Sequence, residues 1–202
     1  MMKPEVAGIM EVQIASLRSS DLLKNSVQVG DLMPRFALDD GHDHMVRSED
    51  LLEGGPLVIS FFRGTWCPYC RVELHALAEA KASIEARGAA IVCISPESPA
   101  ERDDKLEQLL GLTLLYDRNN MVGRTFGLVY EFPPVLRDLY SNVFHNDIAK
   151  KNGVATWELP IPARFVVSRN GIVIDAKVDP DYRFRPEPAE TLAMLDQLKT
   201  RL

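Results

Sequence analysis

Two of the three cysteines in this 202-residue chain stand three positions apart, in Trp66-Cys67-Pro68-Tyr69-Cys70. The thiolate, not the thiol, is the nucleophile. A free cysteine has a pKa near about 8.5, and a helix N-terminus lowers it by one to several units. The cause is the partial positive charge and the free N–H groups of the first helical turn. Spacing of this kind lets two sulfurs meet in that turn and close a small disulfide, so that one attacks a substrate and the other resolves the intermediate. Arg63 and Arg71 flank the pair and add positive potential.

The competing chemistry for Cys-x-x-Cys is half a zinc site, which needs two further soft ligands. Cys93 lies in an apolar run, His42 and His44 in a turn, and His75 and His145 apart from both, with no second Cys-x-x-Cys. Redox chemistry is therefore preferred, with no metal and no cofactor expected. Cys93 reads as a small core residue and His75 as an exposed helical residue. Trp66 and Tyr69 either rim the site or simply pack.

The elements around the pair must place it at a helix start. Leu57-Val58-Ile59-Ser60-Phe61-Phe62 is nearly continuous in apolar character, which predicts a strand buried on both faces. The cysteine motif follows at once, and a helix is expected over about Tyr69–Arg87, with Gly88 at its C-terminal end. Ala90–Ile94 predicts a second buried strand. Ser98-Pro99-Ala100-Glu101 is a capping box that should open a helix ending by Gly111. Leu114–Tyr116 predicts a strand and Met121–Phe126 a short helix.

Upstream, Arg35–Leu38 and Met45-Val46 predict a hairpin across Asp39-Asp40-Gly41, and Ser48 suits a helix N-cap. Downstream, Arg164–Ser168 and Ile172–Val178 predict a hairpin across Asn170-Gly171. Leu192, Leu195, Leu198 and Leu202 mark a terminal amphipathic helix. Residues 128–160, with Pro133-Pro134 and many aromatics, read as a partly helical insertion. Residues 1–27 read as a separate helical extension ahead of a body at 28–202. The order β-α-β-α-β-α, insertion, β-hairpin, helix is a thioredoxin-like α/β fold: a central mixed sheet flanked by helices.

Composition bounds the partners. Apolar residues make up 46% of the chain, enough for a core without disulfide staples. A net charge of -6 without Lys/Arg blocks gives no electrostatic case for nucleic acid or an anionic membrane. No stretch approaches the roughly 20 apolar residues of a membrane span, and Met1–Arg18 lacks the features of a signal peptide. A cytoplasmic protein is expected, in a compartment where a close cysteine pair is catalytic rather than structural.

The segment Ser60-Phe61-Phe62-Arg63-Gly64-Thr65-Trp66-Cys67-Pro68-Tyr69-Cys70-Arg71-Val72-Glu73-Leu74 resembles the motif of peroxiredoxin-like proteins of the AhpC/TSA family. Gly30-Asp31 through Phe36-Ala37-Leu38, Ile94-Ser95-Pro96-Glu97, Trp157–Ala163 and Asp179-Pro180-Asp181-Tyr182 fit the same group. The resemblance covers about residues 28–202. It implies a thioredoxin-fold antioxidant that reduces hydroperoxides, is recharged by a thioredoxin- or glutaredoxin-type reductant, and often pairs as a homodimer.

Matched to the family's Thr-x-x-Cys, Cys70 takes the peroxide-reacting position and Cys67 replaces the threonine. The family arginine falls near Pro162, with Arg164 displaced by two. Pro162 instead looks like the proline, commonly cis, that packs beside the cysteines of thioredoxins. Arg63, Thr65, Trp66, Pro68, Tyr69 and Pro162 are thus expected to shape the site. Two mechanisms stay open. In one, Cys70 attacks a peroxide and Cys67 condenses with the sulfenic acid. In the other, Cys67 attacks a protein disulfide and Cys70 resolves it. Outside enzymes, the alternative is a zinc-holding or redox-sensing binding module.

Overall fold

A computed structural model describes residues 4–200. Leu202 lies outside them. The chain runs α1 (Pro4–Ser19), α2 (Leu22–Asn25), β1 (Ala37–Asp39), β2 (Met45–Arg47), α3 (Ser48–Gly54), β3 (Leu57–Phe61), α4 (Pro68–Glu85) and β4 (Ala90–Ser95). It continues through α5 (Asp104–Leu110), β5 (Thr113–Tyr116), α6 (Met121–Thr125), β6 (Val129–Glu131), α7 (Pro134–Asp138), α8 (Ile148–Asn152), β7 (Glu158–Pro160), β8 (Ala163–Val167), β9 (Val173–Val178) and α9 (Pro188–Thr200).

The apolar runs become the middle of a seven-stranded mixed sheet in the order β2-β1-β5-β4-β3-β8-β9. β3, β4 and β5 are parallel neighbours, and β8 runs antiparallel to β3 with Ser60 opposite Arg164. Side chains alternate across β3 as strand geometry requires. Leu57, Ile59 and Phe61 enter one core with Phe126 and Phe165, while Val58 enters the other with Leu74, Leu77, Cys67 and Cys70. A sheet covered on both faces accounts for the near-absence of polar residues in β3.

A third cluster lies off the sheet. Val6, Met10 and Ile14 of α1 meet Phe132, Leu136, Tyr140, Ile148 and Leu159 of the insertion, together with Tyr182. The insertion is thus a packed unit: an antiparallel β6–β7 pair enclosing α7, a π-helix at Leu139–Val143, and α8.

Two local expectations fail for tertiary reasons. Ser48 does not cap α3; its buried hydroxyl accepts the Phe36 N–H at 3.0 Å and ties the helix to the segment before β1. The capping box yields only a 3-10 turn at Pro99–Glu101. The chain then breaks, because the buried Arg102 guanidinium donates to the carbonyls of Asp40 and Leu114 at 3.1 and 3.2 Å. The helix restarts with Asp103 as N-cap, its carboxylate accepting from Leu106 N–H at 3.1 Å.

Candidate active site

Cys67 is the N-cap of α4, with extended backbone (φ -86°, ψ 119°), and Pro68 occupies the first helical turn. This is where a strand exit hands over to an 18-residue helix, so the Cys67 sulfur sits at the positive end of α4, near the backbone N–H of Cys70. Both cysteines are fully buried and reduced.

Their surroundings differ. Arg63, itself buried, donates from Nη2 to Cys67 Sγ at 2.9 Å. The Cys67 thiol is lowered to about 5, first by the hydrogen bond from the Cys70 thiol, then by the Arg63 charge, against the cost of burial. Cys70 is pushed up by burial and by sharing its proton with Cys67. Arg185 partly offsets that, donating from Nη2 to Cys70 Sγ at 3.3 Å. Charge therefore favours the thiolate on Cys67 over that on Cys70, and both mechanisms stay open on the geometry.

Beneath Cys70 the carboxylate of Glu73, one helical turn on, takes Arg164 at 2.7 Å and Arg185 at 2.6 Å. Ser60 Oγ also donates to Glu73, at 3.3 Å. Burial raises the Glu73 carboxyl, and the two arginines oppose it. Arg164, displaced by two from the family position, thus reaches the site through Glu73.

The turn ahead of Cys67 is pinned from outside. Thr65 donates its backbone N–H to Glu97 Oε2 at 2.6 Å, and its hydroxyl accepts from Asp103 N–H at 3.2 Å. Arg71 joins the same hub through an ion pair with Asp103 at 3.0 Å. Gly64 (φ +147°) carries the Trp66 indole against its backbone; a Cβ there would lie 2.3 Å from Trp66 Nε1.

A cavity of about 460 Å³ adjoins the pair. Arg63, Trp66, Pro68 and Tyr69 line it from the motif, Met10 from α1, Tyr140 and Phe144 from the insertion, and Tyr182 from the loop after β9. Arg63 sits between rings, 4.3 Å from the Tyr182 centroid and 5.3 Å from that of Trp66. Its Nη1 donates to the Tyr140 hydroxyl at 2.9 Å.

The expected shapers Arg63, Thr65, Trp66, Pro68 and Tyr69 gather at this site. Pro162, expected to shape the site, lines a neighbouring surface hollow with Arg185, the residue that donates to Cys70. It sits one residue before β8, where the sheet sets its direction. Sequence reasoning missed Glu97, Tyr140, Tyr182 and Arg185. Glu97 and Tyr182 lay within segments already matched to the family; nothing local singled out the other two. Cys93 is buried in β4 with its thiol pushed far up by burial, and His75 is exposed on α4.

Residues 29–176 match the AhpC/TSA family. The chain belongs to the AhpC/TSA family. Among curated relatives, Peroxiredoxin Bcp of Escherichia coli (strain K12) is 28% identical over 105 residues, covering 52% of this chain and 67% of that protein. The thiol:disulfide interchange protein DsbE of Vibrio cholerae is 28% identical over 134 residues, covering 63% and 70%. Among solved structures, Peroxidoxin BcpB from Mycobacterium tuberculosis superposes with a TM-score of 0.67 at 19% identity, over 85% of this chain and 98% of that one. For this AhpC/TSA member the fold is therefore that of thioredoxin-like peroxiredoxins, with α1 and the insertion packed together over its cysteine site.

Proposed function

We propose that this protein is a thiol-dependent peroxidase in which Cys67 attacks and Cys70 resolves. The observation that carries the reading is the Arg63 Nη2–Cys67 Sγ hydrogen bond at 2.9 Å, beside a cavity large enough for a substrate. The Cys67 thiolate attacks one oxygen of a hydroperoxide; the O–O bond breaks, the second oxygen leaves with the electron pair and takes a proton, and Cys67 becomes a sulfenic acid. Cys70 gives up its proton and attacks that sulfur. The hydroxyl leaves as water, and a Cys67–Cys70 disulfide closes. Two electrons from a thioredoxin- or glutaredoxin-type dithiol return the pair to the reduced state.

Stopped-flow mixing of the reduced chain with hydrogen peroxide and with an organic hydroperoxide tests this. The expected result is a second-order rate far above that of free cysteine at the same pH. A rate no faster than free cysteine overturns it.

A second reading has its own support. A depressed N-terminal thiol and a raised partner are also what disulfide exchange needs, and the DsbE similarity points the same way. Reduction of a protein disulfide such as insulin, faster than peroxide turnover, would favour it. In either case a reducing compartment such as the cytoplasm keeps the three thiols free. No helix among the described residues is long and apolar enough to cross a membrane. Pairing into a homodimer is checked by light scattering.

A further inference from the structure

The insertion brings Tyr130, Tyr140, His145 and Asn146 to the cysteine site, and the Tyr140 hydroxyl is hydrogen-bonded to Arg63 at 2.9 Å. Tyr140 is 4% exposed and sits in the π-helix at Leu139–Val143, a rare backbone form that recurs at functional sites. The ring is locked edge-on against Phe132, Phe144 and Trp66, with centroids 4.9, 5.2 and 6.1 Å away. Its oxygen accepts from Arg63 Nη1 at 2.9 Å, while Nη2 of the same guanidinium donates to Cys67 Sγ at 2.9 Å. One planar group thus holds the hydroxyl and the nucleophilic sulfur at once. With its oxygen occupied by Arg63, the hydroxyl has its proton left to give.

We propose that Tyr140 is the general acid that protonates the departing oxygen when Cys67 opens the O–O bond. This rests on the peroxidase reading above. The Cys67 thiolate bonds to the near oxygen. The far oxygen leaves with the O–O electron pair and takes the Tyr140 proton, giving an alcohol from an organic hydroperoxide or water from hydrogen peroxide. The phenolate left behind faces the Arg63 cation and recovers a proton from solvent. Arg63 activates the sulfur and steadies the phenolate in the same step. The insertion, on this assignment, completes the catalytic machinery.

The test compares two peroxides whose leaving groups differ in their need for a proton. tert-Butyl hydroperoxide expels an alkoxide, and peracetic acid expels a carboxylate that leaves unprotonated. In the full chain, Tyr140→Phe should slow Cys67 oxidation by tert-butyl hydroperoxide about 100-fold. Oxidation by peracetic acid should change less than about 3-fold. Equal slowing of both, or of neither, overturns the assignment, because loss of Arg63 positioning alone weakens the nucleophile toward every peroxide. If the variant does not fold, the wild-type solvent deuterium effect decides: about 2 with tert-butyl hydroperoxide and about 1 with peracetic acid are expected, and equal values overturn it. A wild-type chain that reacts no faster than free cysteine with either peroxide is a different result. It overturns the peroxidase reading, and this inference with it.

Discussion

The backbone N–H of Thr65 donates to Glu97 Oε2 at 2.6 Å, and both residues are buried. This bond fixes the turn that presents Cys67, yet the carboxyl that accepts it is under strain from its surroundings. Burial raises Glu97 from its ordinary 4.5 to about 7, against the hydrogen bonds from Thr65.

The sign of the resulting pH dependence follows. Between about pH 4.5 and about pH 7 the folded chain holds a proton on Glu97 that the unfolded chain has released. Folding stability therefore falls as pH rises through that window, by at most about 3 kcal/mol from this group. Glu97→Gln keeps an acceptor for Thr65 and removes the titration. Urea unfolding at about pH 5 and about pH 7 should show a smaller difference between the two in the variant than in wild type; an unchanged difference would refute the account.

Arg63→Gln should raise the Cys67 pKa from about 5 toward the ordinary thiol range. Alkylation by iodoacetamide near about pH 6 should slow by roughly tenfold, since the thiolate fraction controls the rate. The ultraviolet absorbance of the thiolate, titrated in a Cys70→Ser, Cys93→Ser background, reads the shift directly. A midpoint unmoved by the substitution would mean that the cation is irrelevant to activation.

Arg185→Gln removes the donor on Cys70 and one of the two cations on Glu73. Attack by Cys67 should be little changed, while closure of the disulfide slows about tenfold, because Cys70 loses the charge that favours its thiolate. Dimedone should then trap a Cys67 sulfenic acid that wild type does not accumulate. Trapping at wild-type levels would show that Arg185 has no part in resolution.

Arg164→Met leaves the buried Glu73 carboxylate with Arg185 alone. A loss of roughly 3–5 kcal/mol is expected from breaking a buried pair on one side. Pairing it with Glu73→Gln should recover much of that loss. A double variant no more stable than the single one would place the cost elsewhere in β8.

The parts legible in sequence are those determined by neighbouring residues. β3, β4 and the start of α4 are set by an apolar run, a turn and a proline, so the Cys67–Cys70 pair and its helix could be placed from the chain alone. The order in which the sulfurs act could not. In the reading proposed above it turns on Arg63 against Arg185, and Arg185 reaches Cys70 across 115 residues from a loop without periodicity. Ser98–Glu101 has every mark of a helix start, yet Arg102 is drawn into the core and breaks it. Tyr140 is one aromatic among many in residues 128–160, and only packing against Arg63 singles it out.

The third cluster joins α1 to the insertion, and Met10, Tyr140 and Tyr182 belong both to it and to the cavity wall. Cys67, meanwhile, has no exposed surface at rest. Access to the sulfur is therefore a matter of breathing. The unit formed by α1 and the insertion packs off the sheet, so it is expected to open ahead of the sheet, with amide protons that exchange faster than those of β3 and β4. The rate at which large oxidants reach the thiolate then tracks that opening equilibrium. Low denaturant or mild warming, which loosen this unit first, should quicken the reaction before they unfold the protein.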